Sequence, residues 1–400
     1  MKPKSDPLNK LPVSAFGDMR MIELSPQFQE SFEYTVDNTE KIANTVVGSG
    51  TVTQANAMAV VSTGTTSAST AQLESKRHAK YRPGLGGVMR FTALFTTPVA
   101  TTTQCVGIMD ETGSSEIFKN GYAIGFNGTS FGFHRFANDA LTTVQLSDWD
   151  DPLDGCGKSG MTLDPTKLNV WFIQFQYLGA GAINLWVEDQ NTGKMFICHT
   201  IDYANLNIEP SVFNPNFHFQ IYVDNAATTN DLIVKSCSYA YFIEGFTELK
   251  ELHQTQFSSE KQSKALVTTE VPILTIRNKA NYAGKKNFID ILFEYVSVSI
   301  EANSANNLGE VRLIRNASLT GASFSDINTS NSIAEIDTSA TSFTGGKEVF
   351  PIELAGKNDK EAINIIPFKV LVGELESLTL AGSSANSATV NAAVLWKELT

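Results

Sequence analysis

An all-β fold is predicted for this chain of 400 residues, and three observations predict it. Apolar and polar residues alternate with a period of two through Ala71 to Tyr203. Glycine- and asparagine-containing turns punctuate that alternation. Phe contributes 25 residues while charged residues make up only 18%, so neutral Ser, Thr and Asn fill the spaces between apolar positions, as on sheets with a neutral polar outer face.

The elements follow in order. Pro83, Gly84, Gly86 and Gly87 form a rigid, then permissive corner that delivers the chain into a strand from Val88 to Phe95. Tyr122, Ile124 and Phe126 run up to Asn127-Gly128, and Phe131, Phe133 and Arg135 run away from it. That is a hairpin with Asn127 and Gly128 at the centre of a type I′ turn. Trp171, Ile173, Phe175 and Tyr177 share one face of the next strand, opposite Phe172, Gln174 and Gln176. Gly179 to Gly181 then reverse the chain into Ile183, Leu185 and Val187. A third strand, Lys194 to Thr200, completes a meander. Strands are also expected at Phe32 to Val36 and Ala57 to Thr63, flanking a polar loop, and at Phe217 to Val223 and Leu232 to Ile243.

The ordered fragments ESKRHAKYRPGLGGVMRFTALF, QCVGIMD, NGYAIGFNGTSFGFHRF, LDPTKLNVWFIQFQYLGAGAINLWVEDQNTGKMFICHTIDYAN and SYAYFIEG look like a family of structural proteins from tailed phages and other large DNA viruses. The resemblance covers roughly Phe32 to Gly245. It implies a concanavalin-like jelly roll carried on the virion, beside other β modules in fibres, spikes or capsid decorations. Members are known more by their position in virus genomes than by any activity, so no catalytic residue carries over. By the same analogy a homo-oligomer, commonly a trimer, is expected, with other virion proteins as partners and synthesis in the host cytoplasm.

Composition sets further bounds. Hydrophobic residues at 42% and aromatic residues at 10% suffice for a real core, and the length suits two to three domains. Lys plus Arg 30 against Asp plus Glu 42 gives a net charge of -12, which repels phosphate backbones and anionic membranes. The opening residues lack an apolar signal region, and no apolar run is long enough to span a bilayer. Cys105, Cys156, Cys198 and Cys237 are widely spaced without CxxC, which argues against a disulfide framework.

Four regions are expected. Residues 1–20, marked by Met1, Pro3, Pro7 and Pro12, form an extended assembly arm. Residues 21–245 form the jelly roll, and residues 246–264 a linker, helical around Leu249 and Leu252. Residues 265–400 form a smaller β-sandwich, with strands at Val271 to Arg277, Asn287 to Ile300, Gly309 to Ala317, Ala334 to Thr338, Ile363 to Val372, Ser377 to Leu380 and Asn391 to Trp396.

Signals for chemistry are sparse. Concanavalin-like sandwiches that hydrolyse glycosides need paired carboxylates facing one cleft. This chain has no ExDxE, while Glu188-Asp189 face opposite sides and Asp110-Glu111 lie in a turn. In SDWDDPLDGCG, Asp148, Asp150, Asp151 and Asp154 are the residues that calcium would need, and Trp149 is the one that would stack on a sugar ring. Carboxylates in such a loop more often cap local turns. His78, His134, His199, His218 and His253 lack zinc spacing, and neither GxSxG nor a phosphate-binding glycine motif follows a strand. The sequence-level expectation is a non-enzymatic, virion-borne structural protein without a cofactor. The alternatives are a lectin-like module that recognises host glycan and a shell-forming capsid protein.

Overall fold

Alternation decides which face of a sheet each residue takes. In Asn169–Phe175, Trp171, Ile173 and Phe175 are buried while Phe172 and Gln174 remain part-exposed, and Ile183, Leu185 and Val187 repeat the pattern in Ile183–Asp189. The computed structural model of the chain describes residues 23–114, 117–245, 255–302, 308–356 and 358–399. The expected N-terminal arm, with Met1, Pro3, Pro7 and Pro12, lies outside the described residues. The chain divides into two units, Met1–Glu248 and Leu249–Thr400.

The first unit is a sandwich of two antiparallel sheets. One has nine strands, ordered Lys194–Ile201, Ile183–Asp189, Asn169–Phe175, Gly86–Phe95 and then a fork. Gly86–Phe95 pairs with Ser238–Glu244 along Gly86 to Phe91, and with Ile233–Ser236 at Leu94 and Phe95. The first branch continues to Leu24–Ser31 and the second to Met58–Ser62 and Thr51–Ala55. The other sheet has seven strands, ordered Leu141–Gln145, Ser130–Phe136, Gly121–Asn127, Thr103–Met109, Phe217–Asp224, Thr70–Ala79 and Ile42–Val47.

Aromatic side chains from both sheets fill the space between them. Phe219 stacks on Tyr239 with ring centroids 4.2 Å apart, Tyr122 meets Phe175 at 5.9 Å, and Phe131 meets Trp171 at 6.2 Å. Each such buried ring contributes on the order of 1.5–3 kcal/mol through removal of apolar area from water.

Several expectations need correction. Asn127 pairs with Ser130, so the central turn residues are Gly128 and Thr129, not Asn127 and Gly128. Positive φ occurs at Gly128 alone, +61°, which is the sign pattern of a type II′ turn with glycine first. Phe32 to Val36 is not a strand. Phe32 is buried where the chain leaves Leu24–Ser31, and Asp37 then caps a turn by accepting from the Thr39 and Glu40 amides. The polar stretch expected as a loop contains the strands Ile42–Val47 and Thr51–Ala55. The run expected as one strand from Leu232 to Ile243 breaks at Cys237, because its halves pair with different parts of Gly86–Phe95.

The second unit is also a pair of antiparallel sheets, each six-stranded. In one, Asp290–Ala302 pairs with Ala388–Leu399 on one side and with Lys360–Asn364 and Leu371–Val372 on the other. The second runs Ser325–Asp326, Ala334–Asp337, Val271–Asn278, Ser377–Ser384, Leu308–Arg315, Lys347–Ala355. Ile276, Phe293, Val298, Leu313, Leu380 and Trp396 lie in its core.

Here too the structure corrects the sequence reading. Within the expected linker 246–264, residues 246–254 lie outside the described residues, but Thr255–Ser258 and Gln262–Leu266 are strands paired with Ala388–Leu399. Phe257 stacks on Trp396 at 6.2 Å, so a break there would cut into the second unit. The expected strand Ile363 to Val372 is interrupted by a short helical turn, Ile366–Phe368, whose Pro367 has no amide to give a ladder. Lys347–Ala355 contains Pro351 and gave no strand signal, yet it forms because it is an edge strand, where a missing donor is tolerated.

Candidate functional site

The aspartate-rich loop holds its carboxylates against backbone amides. Asp151, 3% exposed, accepts from the Leu153 amide at 3.2 Å through one oxygen and from the Ser159 amide at 2.6 Å through the other. Asp154 accepts from the Cys156 amide at 2.8 Å. Asp150 accepts from the Thr200 amide at 2.8 Å, and its Oδ2 lies 3.4 Å from His199 Nδ1. Asp148 sits in the short helical turn Leu146–Asp148 and joins none of these. The four do not converge on a point, and among the described residues no three His, Cys, Asp or Glu side chains form a group suited to a metal ion.

Trp149 is buried rather than displayed. Its Nε1 donates to the Val144 carbonyl at 3.0 Å, one face lies parallel to the His199 ring, and its edge meets Trp171 at 6.3 Å. It offers no face to a sugar. Burial lowers the pKa of His199, with the Asp150 carboxylate acting in the opposite direction.

On the outward face of the seven-stranded sheet, the centre is not open. Cys105, Met109, Ala123 and Phe136 are buried on it beneath Phe118, which meets Phe136 at 5.4 Å and Tyr222 at 5.8 Å, both edge to face. The segment that carries Phe118 is clamped at its base. Asp110 accepts from the Asn120 amide at 2.6 Å and from Asn120 Nδ2 at 2.7 Å, and Asn120 Oδ1 accepts from the Asn138 and Phe213 amides.

Gln220, His134 and His218 on this face bond to neighbouring side chains or to the backbone. Gln220 accepts from Gln72 Nε2 at 2.5 Å and donates to the Met109 and Asp110 carbonyls. His134 bonds Thr143 Oγ1 at 2.9 Å and the Gly125 carbonyl at 3.2 Å, and burial pushes its pKa down to about 4. His218 contacts the Ser75 carbonyl at 2.6 Å and lies 3.8 Å from Glu74 Oε1. Glu188 and Asp189 do not form a pair, since Asp189 caps its own turn through the Asn191 amide and Thr192 hydroxyl. Burial also raises the Cys105 thiol to about 12, and all four cysteines are free.

The glycine corner is a turn. Gly84 has φ +88°, and Gly86 and Gly87 open the strand Gly86–Phe95, where a side chain on Gly87 would meet Tyr241 and Phe175.

One open feature escaped the sequence reading. On the outward face of the nine-stranded sheet, Arg90 stands between Phe172 and Phe242, with ring centroids 4.5 Å and 4.9 Å from its guanidinium carbon. Phe172 is the cross-strand neighbour of both Arg90 and Trp186. These partners lie about eighty to one hundred and fifty positions from Arg90 in sequence, so only strand order brings them together.

This strand order defines an all-β protein of the jelly-roll sandwich class. No family model matches the chain, and no curated protein does. Among solved structures, the chain is similar to lectin II from Ulex europaeus at 10% identity, over 55% of this chain and 100% of that one, with a TM-score of 0.36. It is similar to a pseudo beta-1,3-glucanase and immunostimulatory antigen of Mycobacterium tuberculosis at 11% identity, over 56% and 100%, with a TM-score of 0.38. The cellulose-induced protein Cip1 is 15% identical over 54% and 96%, with a TM-score of 0.31.

Proposed function

We propose that the chain is a non-enzymatic structural protein of a virion, a capsid- or tail-attached component that displays its β-sandwiches at the particle surface. The ordered fragments from Phe32 to Gly245 and their family resemblance motivate the location. One structural observation supports a scaffolding role: at the aspartate loop and beneath Phe118, the polar side chains are spent on holding backbone in place. A carboxylate already accepting from two amides is poorly placed to act as nucleophile or base. Self-association, as a trimer, belongs to the same proposal.

Antibody raised against the chain and applied to purified particles tests the location. Regular surface labelling at a fixed copy number is expected. Particles without label, from a lysate that contains the protein, would overturn it.

The alternative of host-glycan recognition has a specific observation in its favour, the aromatic outward face around Arg90.

A further inference from the structure

We infer that the cleft beside Arg90 binds a sugar that carries a single carboxylate, such as a terminal acidic monosaccharide. Six residues, Gln29, Ser31, Arg90, Thr92, Phe172 and Ser238, line the cleft of about 520 Å3, together with the ion-paired Glu30 and Lys41. All six stand on the outward face of the nine-stranded sheet, as the registers of Leu24–Ser31, Gly86–Phe95, Asn169–Phe175 and Ser238–Glu244 require.

The charge of Arg90 is the first argument. Among the described residues it has ring partners but no carboxylate and no hydrogen-bond acceptor, and its Nε is buried without a partner. The neighbouring cation, Lys41, is already paired with Glu30 at 2.7 Å. A guanidinium fixed between two rings has lost its rotamer freedom in advance, and its planar fork suits a carboxylate.

The second argument is the rest of the lining. Phe172 supplies an aromatic wall for the apolar face of a sugar ring, and Gln29, Ser31 and Ser238 supply the neutral donors and acceptors that hydroxyl groups need. An acidic peptide would require several cations, and the net charge of -12 repels polyanions. One unpaired cation, beside neutral groups and the mutually neutralised pair of Glu30 and Lys41, fits one carboxylate.

This inference deepens the glycan reading and is independent of virion location. Isothermal titration of the full chain with 3′-sialyllactose and with galacturonate tests it, with lactose and a tetraglutamate peptide as controls. At least one acidic saccharide is expected to bind below about 1 mM, and lactose roughly tenfold more weakly or not at all. Arg90→Gln should abolish measurable binding. Arg90→Lys should weaken it several-fold, because a point charge lacks the fork. Gln29→Ala, on an exposed position of the strand Leu24–Ser31, should weaken binding about threefold without affecting the melting temperature, and it keeps the test valid if the Arg90 variants do not fold.

Absence of binding by either acidic saccharide would overturn the inference. So would undiminished binding by well-folded Arg90→Gln protein. Lactose binding as tightly as sialyllactose would sink the role of Arg90 while leaving glycan recognition standing. Binding of tetraglutamate alone would point to a protein partner instead.

Discussion

The two sheets of the first unit turn very different outward faces to their surroundings. The seven-stranded sheet is buried on both sides at its centre: inward by the aromatic core, outward by the Phe118 segment over Cys105, Met109, Ala123 and Phe136. The nine-stranded sheet is buried on its inner side only, and outward it leaves Phe172, Trp186, Phe242 and Arg90 part-exposed. The first sheet has therefore committed its residues to stability, and the second retains a surface on which recognition can be built. The same fold gives one sheet a structural outer face and the other an available one.

The sharpest test of this contrast is Gly107. A side chain there would lie 2.1 Å from the Tyr122 carbonyl oxygen and 2.6 Å from the Ala123 Cα, both backbone atoms that cannot swing aside. Gly107→Val should cost roughly 3–5 kcal/mol, seen as a large fall in the urea midpoint of the first unit, or should prevent folding. Thr92→Val, on the outward face of the other sheet, removes the hydroxyl that accepts from the Cys237 amide at 2.7 Å and should cost about 1–2 kcal/mol, clearly less than Gly107→Val. Equal losses would erase the distinction.

Removing the cover is the next largest effect. Phe118→Ala deletes a fully buried ring and both of its edge-to-face contacts, for a loss of about 3 kcal/mol by the same measurement. It should also expose the Cys105 thiol, so that modification by a thiol reagent becomes measurable in the folded protein. If Phe118→Ala neither destabilises the protein nor opens Cys105, the face is not held closed by that ring.

The smallest effect depends on pH. An unfolded chain protonates a histidine near pH 6.5, whereas buried His134 resists protonation until about pH 4. Its contribution to stability is therefore complete above about pH 6.5 and is lost as the pH falls towards about 4, by at most roughly 3 kcal/mol. Urea midpoints measured across that range should fall less steeply in His134→Gln than in the parent. Parallel curves would show that His134 is not a neutral member of the closed face.

What the sequence revealed and what it hid divide along physical lines. The alternation of Trp171, Ile173 and Phe175 against Phe172 and Gln174 is local, so the strand and its faces were legible from the chain alone. The role of Gly107 was not, because it depends on Ala123 lying opposite, and fifteen residues intervene. Trp149 illustrates the same limit. Beside four aspartates it reads as a ligand residue, but its N–H is taken by the Val144 carbonyl five residues back, and the ring parallel to its face, His199, belongs to a segment whose approach no spacing announces. Thr255–Ser258 stayed hidden for another reason: three of its four residues are polar, and its pairing with Ala388–Leu399 supplies the order that its own pattern lacks.

The fork at Gly86–Phe95 bears on how the protein is made. Three neighbours complete that central strand, and they arrive at Ile233–Ser236, Ser238–Glu244 and Asn169–Phe175, long after it has left the ribosome. Leu24–Ser31, synthesised first of all the described strands, has only the last of the first unit, Ser238–Glu244, to pair with. Such distant pairings delay closure, since the loop entropy is lost before the contacts repay it. A nascent chain halted before residue 233 would therefore hold its oldest strand without a partner. The sandwich would close only when translation has passed Glu244.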